Sequence, residues 1–124
     1  MILFSALLAA AAPAPADTPP AAATGLLAAV ASGDLATAGA TLAEDVVIMD
    51  SSGAIPAASS LEAFAASVRG CAQGEMFWDA DGEDRMRAAV TVRWTCPSRP
   101  GSEALIWTAG PRVVWIQFGL PIPQ

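Results

Sequence analysis

Hydrophobic residues recur with helical spacing in three stretches of the chain. Gly33 followed by Asp34 separates the first two stretches, since glycine ends helices and aspartate caps them. Ser59 and Glu62 form a capping box at the start of the third, and Gly70 ends it. The sequence therefore predicts three helices, whose apolar positions are Leu26, Leu27 and Val30, then Leu35, Ala38 and Leu42, and finally Leu61, Phe64, Ala65 and Val68.

The remaining hydrophobic segments are short, rich in β-branched and aromatic residues, and separated by turn residues, which is typical of strands. The first is followed by Asp50 and a serine-glycine turn, after which Ile55 is expected to begin a short return strand. The last four follow each other closely enough to form an antiparallel meander. The five predicted strands cover residues 46–49, 73–79, 85–96, 104–108 and 112–118.

The longest predicted strand alternates apolar with polar residues, so one of its faces is expected to be buried. A three-residue loop at 80–82 places Glu75 opposite Arg87 and puts Met76 and Trp78 on the buried face. A two-residue loop would reverse these faces. The pairing of opposite charges favours the first register.

The N-terminal segment has the features of a cleaved secretory signal. The apolar run over residues 2–12 is shorter than the roughly twenty residues that span a bilayer, so no stable membrane anchor is expected. Ala14 and Ala16 are small residues at the positions that a signal peptidase reads. A buried N-terminal helix is the alternative, which the prolines after the run disfavour. We expect residues 1–16 to be the signal and 17–124 to form one domain of an exported bacterial protein, periplasmic or secreted.

Charge and composition exclude several classes of function. Six basic residues stand against twelve acidic ones, and the net charge of −6 opposes nucleic-acid binding. Two cysteines without histidine do not complete a usual zinc site, so no metal is expected. Phosphate-binding and dinucleotide-binding motifs are absent from the sequence, and no cofactor is expected.

Cys71 and Cys96 are the only cysteines, and an even pair in an exported domain predicts a disulfide. Two separate buried thiols remain the alternative, because strict hairpin register does not place Cys71 opposite Cys96.

The order of elements, two helices, a strand, a third helix and a meander, resembles the NTF2-like (SnoaL-like) superfamily. LLAAVASGDLATAGATLAEDVVIMD, residues 26–50, is similar to its N-terminal signature, and WTAGPRVVWIQF, residues 107–118, to its final hairpin. The resemblance implies an α+β, cystatin-like cone, in which three N-terminal helices pack on a curved antiparallel sheet of roughly four to six strands. Such a cone encloses a pocket.

The resemblance does not carry a catalytic site onto this chain. Members of the superfamily include isomerases and dehydratases, whose patterns use a pocket Tyr or His, and this sequence contains neither. Carboxylates remain: Asp50 and Glu75 are the catalytic candidates, with Asp45 a third acidic residue beside apolar strand positions. Burial in a dry pocket would raise the pKa of such a group toward that of a general base. For Asp50 the favoured alternative is a turn residue that caps its own backbone.

Four tryptophans are many for a chain of this length, and all lie in predicted strands. They indicate core packing, a sheet-to-sheet dimer contact, or a platform for a ligand. We predict a non-catalytic domain that binds a small hydrophobic ligand or forms a homodimer through its sheet. An isomerase or dehydratase that works through a pocket carboxylate is the alternative. The predicted ligand pocket is lined by Met49, Met76, Trp78, Met86 and Trp94.

Overall fold

The computed structural model describes residues 18–55, 60–80 and 87–123. The predicted signal, the capping residue Ser59 and the pocket candidate Met86 lie outside these ranges. The helices are α1 (Ala21–Ser32), α2 (Leu35–Ala40) and α3 (Ser60–Ser67), and the strands are β1 (Leu42–Met49), β2 (Ala72–Ala80), β3 (Arg87–Thr95), β4 (Ser102–Ala109) and β5 (Arg112–Leu120). No helix within these ranges is long and apolar enough to cross a membrane.

The five strands form one sheet in the order β1-β5-β4-β3-β2, which confirms the α+β class. The prediction of a purely antiparallel sheet is wrong, because β1 pairs with β5 in parallel. The strands β2 to β5 pair antiparallel with their neighbours in the chain, whereas β1 pairs with β5, the strand farthest from it in the sequence, so no hairpin sets their relative direction. The helices follow the predicted order around β1, but the agreement is partial, since α2 has only six residues and Leu42, expected on its apolar face, begins β1.

The break between α1 and α2 forms as predicted. Gly33 adopts a left-handed conformation with φ of 77°, and its backbone N–H donates to the carbonyl of Val30 while that of Asp34 donates to Ala29. The Asp34 carboxylate accepts from the backbone N–H of Thr37 at 3.1 Å and thereby caps α2. The chain reverses within two residues, so that α1 and α2 pack on each other.

The pairing of β2 with β3 keeps the predicted faces but not the predicted register. Met76 lies opposite Val92 and Trp78 opposite Val90, and both pack against the core. The expected pairing of Glu75 with Arg87 is wrong, because Met76, next to Glu75, pairs with Val92, whereas Ala88, next to Arg87, pairs with Ala80 at the other end of β2. The observed register differs from the predicted one by an even number of residues, which keeps the faces. An exposed charge pair contributes about 1 kcal/mol or less, which is too little to set the register.

The core lies between the helices and one face of the sheet, which we call the inner face. Phe64 of α3 is fully buried; its ring contacts Trp94 edge-on at 5.9 Å between centroids and Phe118 at 5.8 Å. These contacts fix α3 against β3 and β5. The other large side chains that are fully buried are Leu26, Val90, Val92, Ile106, Val113 and Ile116.

Candidate functional site

A cleft of about 380 Å³ lies where the C-terminal ends of α1 and α3 meet the inner face of the sheet. Trp94, near the end of β3, lies against it and is itself almost completely buried. The reversal at Gly33 keeps α2 from continuing α1 across this space. The lining residues are Leu27, Val30, Ala31, Ser32, Gly33, Leu35, Ala65, Val68, Arg69, Gly70, Cys71, Gln73 and Trp94.

The predicted disulfide is confirmed, and its Cys71 half lines the cleft. Cys71 and Cys96 are bonded, with Cα atoms 4.3 Å apart. A one-residue shift in the ladder between Gln73 and Met76 makes this possible. Extending the register of the Met76 pair would place Cys71 opposite Pro97, whereas the shift places it opposite Cys96. The alternative of two separate thiols is thereby excluded.

A guanidinium holds the β3–β4 loop against the end of α3. Arg99 donates to the carbonyl oxygens of Ser67 at 3.0 Å and of Arg69 at 2.9 Å, and its Nη2 lies 3.3 Å from Sγ of Cys71. The last carbonyls of a helix have no partner within the helix, so these hydrogen bonds satisfy acceptors that would otherwise face solvent. Disulfide and guanidinium together tie one wall of the cleft to the sheet.

The chemistry of the cleft is apolar with a polar rim. Leu27, Val30 and Val68 present aliphatic walls, and Arg69 and Gln73 are exposed polar residues among those that line it. Within the part of the chain that the structure describes, no Asp or Glu lines the cleft. The arrangement can bury a small apolar group, and it offers a ligand one guanidinium.

The structure brings only part of the predicted pocket together. Trp94 lines the cleft, while Met76 and Trp78 lie on the same inner face but outside the lining set, packed against the core. Met49 lies on the opposite face of the sheet, since it pairs with Gln117 beside the inward pair of Ile48 and Ile116. Sequence reasoning missed the residues at the helix ends that line the cleft. The signal that could have found them is the Gly33-Asp34 helix break, which lies at the cleft.

Asp50 serves as a turn residue. Its carboxylate accepts hydrogen bonds from the hydroxyl of Ser52 at 2.6 Å and from the backbone N–H groups of Ser52 and Ala54. The Ser52 hydroxyl, with smaller contributions from the backbone groups, lowers the pKa of Asp50 below its ordinary value. A general base in a dry pocket would show the opposite shift. Ile55 just beyond is 63 % exposed and lies outside the strands, so the expected return strand does not begin there.

The other two acidic candidates also lie away from the cleft. Glu75 is exposed and sits at the ladder shift between Gln73 and Met76. Asp45 is exposed on β1. Neither is among the lining residues of the cleft.

The face of the sheet that points away from the helices, which we call the outer face, is largely apolar. Trp107 and Phe77 are 43 % and 46 % exposed there. At one end Arg93 pairs with Glu103 at 2.9 Å and lies over the Phe77 ring, 5.3 Å from its centroid. Cross-strand pairing forms two rows, of Val47, Trp115, Trp107, Ala89 and Asp79, and of Met49, Gln117, Leu105, Thr91 and Phe77.

Two solved structures share this fold. A protein from Sphaerobacter thermophilus superposes with a TM-score of 0.59 at 14 % identity, covering 82 % of this chain and 94 % of that one. A protein from Kribbella flavida superposes with a TM-score of 0.56 at 21 % identity, covering 80 % and 83 %. At such identities the likeness concerns the fold alone. No protein-family model and no curated protein sequence matches the chain.

Proposed function

We propose that this chain is an exported, non-catalytic domain of the NTF2-like type that binds a small apolar ligand in the cleft between α1, α3 and β3. The observation that carries the proposal is the cleft itself, a concave apolar space backed by a buried tryptophan. Its volume of about 380 Å³ falls within the range of small-molecule sites, roughly 300 to 1,000 Å³.

The character of the lining favours binding over catalysis. Isomerase or dehydratase chemistry through a carboxylate needs an acidic side chain in the pocket, and the described lining has none. The Asp50 carboxylate is hydrogen-bonded within its own turn, and Glu75 is exposed on β2, away from the cleft. The aliphatic walls and Trp94 need no reacting group to hold an apolar ligand.

Export is supported by the disulfide, which is consistent with an extracellular location because such bonds persist in oxidising compartments. We propose cleavage after Ala16. N-terminal sequencing of exported material is expected to begin at Asp17, and a sequence beginning at Met1 would contradict the cleavage.

Ligand binding in the cleft is tested by filling it. Ala31 is exposed at the end of α1 and lines the cleft, so Ala31→Phe places a ring there without disturbing the core. Excluding about two methylene groups of ligand would weaken binding by about tenfold. We expect that loss for 1-octanol, measured by isothermal titration calorimetry.

The matched control is Ala21→Phe, an exposed alanine about 15 Å away at the other end of the same helix. Its affinity for octanol is expected to equal that of the unmodified chain. An Ala31→Phe variant that binds octanol as well as the control would place the ligand outside the cleft.

The outer face supports a second candidate, a homodimer formed through the sheet. Two adjacent tryptophans, Trp107 and Trp115, lie in neighbouring central strands, and exposed aromatic clusters of this kind mark interaction surfaces. A second copy would cover the same face by two-fold symmetry.

Trp107→Glu is expected to weaken such a dimer by about thirtyfold or more, because an interface tryptophan contributes about 2 kcal/mol and the carboxylate would be buried. Size-exclusion chromatography with light scattering over a concentration series measures the change. Ala28→Glu adds the same charge on the exposed side of α1, away from the outer face, and should leave the mass unchanged. If the unmodified chain is monomeric at high concentration, the proposal of a homodimer is wrong.

A further inference from the structure

The side chain of Arg69 differs from those of the other arginines that the structure describes in having no partner among the described residues. Its guanidinium makes no hydrogen bond and no ion pair within those ranges. Arg93 is paired with Glu103, Arg99 is bound to two carbonyls of the α3 end, and Arg112 donates to the carbonyl of Ala40. The unpartnered cation is the one that lines the apolar cleft.

The negative groups around the cleft are already satisfied. Helix C-termini attract cations through their free carbonyls, and two of them end here. The backbone N–H groups of Gly33 and Asp34 donate hydrogen bonds to the last carbonyls of α1. At the α3 end, Arg99 donates to the carbonyls of Ser67 and Arg69. The Asp34 carboxylate is bound to Thr37. Asp34 keeps its negative charge but lies outside the lining, so Arg69 is the one charged group among the described lining residues.

We propose that the ligand of the cleft is a small amphipathic monocarboxylate, with its apolar body between the walls of Leu27, Val68 and Trp94 and its carboxylate at the guanidinium of Arg69. This inference rests on the proposed function, since it names the chemical class that the same cleft takes. Arginine presents a planar set of donors that matches a carboxylate, which a neutral or cationic head group would not engage.

The charge of the whole chain makes Arg69 the local source of any preference for anions. A net charge of −6 repels anions in general, so a preference for an anionic ligand has to arise within the cleft. Removing Arg69 is then expected to abolish the preference and not merely reduce it.

The experiment compares sodium octanoate, 1-octanol and octyltrimethylammonium, which share one chain and differ in head-group charge. Calorimetric titrations of the full domain are expected to show octanoate binding about fivefold tighter than octanol, as for a charge pair at a solvent-accessible rim. Arg69→Ala should abolish this preference, so that octanoate binds no more tightly than octanol. Arg87→Ala removes the same charge from the outer face at the far end of β3 and should keep the preference.

The outcomes separate the two proposals. Equal binding of octanoate and octanol, unaffected by Arg69→Ala, would overturn the monocarboxylate and leave the apolar cleft standing. Tighter binding of the quaternary ammonium would overturn it as well. If none of the three probes binds, the proposed function fails together with the inference. Retention of part of the preference in Arg69→Lys, which keeps the charge but loses the planar donors, would support it.

Discussion

Replacing Phe64 by alanine is expected to lower the free energy of unfolding by about 4 kcal/mol, a large share of the stability of a domain of this size. The ring is fully buried and makes aromatic contacts with Trp94 and Phe118. Alanine would remove the apolar surface and leave a cavity between α3 and the sheet. Urea unfolding followed by tryptophan fluorescence measures the loss.

Phe77→Ala is the matched control. It makes the same chemical change on the outer face, where the ring is 46 % exposed and contacts Arg93. We expect it to cost about 1 kcal/mol or less, since little buried surface is lost. If the two variants were equally stable, the core would not lie between α3 and the inner face.

Removing the disulfide is expected to cost about 3 kcal/mol. Cys71 and Cys96 are 25 residues apart, and in the chain-entropy model a bond over that separation restricts the unfolded chain by about this amount. The double variant Cys71→Ala with Cys96→Ala should show the loss in the same unfolding experiment.

Reduction of the unmodified chain provides the control for the double variant. The reduced chain should lose as much stability as the variant, and the variant should be insensitive to reductant. A loss below about 1 kcal/mol would mean that the bond constrains little of the unfolded ensemble. Because the bond ties the cleft wall to the sheet, we also expect weaker ligand binding in the variant.

Local chemistry made several parts of the fold predictable. The αL glycine and the capping aspartate at Gly33 and Asp34 specify a helix break through contacts within a few residues. The period of two in β3 specifies which of its side chains face the core, and Met76 and Trp78 follow once the hairpin is formed. The presence of two cysteines predicted the disulfide that the structure contains.

Features that depend on distant segments were not predictable in the same way. The parallel pairing of β1 with β5 joins residues such as Val47 and Trp115 that no turn connects. The register of β2 on β3 was also missed, since it was chosen from a charge pair and exposed charge pairs contribute little free energy.

The candidate site was predicted in part for the same reason. Trp94 was recognised from its place in an alternating strand, and it does line the cleft. Met49 was assigned to the same pocket, but the alternation of strand residues puts it on the other face. The walls supplied by Leu27 and Val68 come from two helix ends whose meeting is a property of the tertiary structure.

The measurement that bears most directly on the proposed function is an amide chemical-shift titration of the unmodified domain with 1-octanol. Binding in the cleft predicts that the largest shifts occur at Ala31, Gly33, Gly70 and the indole N–H of Trp94. Largest shifts at Trp107 and Trp115 on the outer face, or no saturable shifts at all, would contradict it.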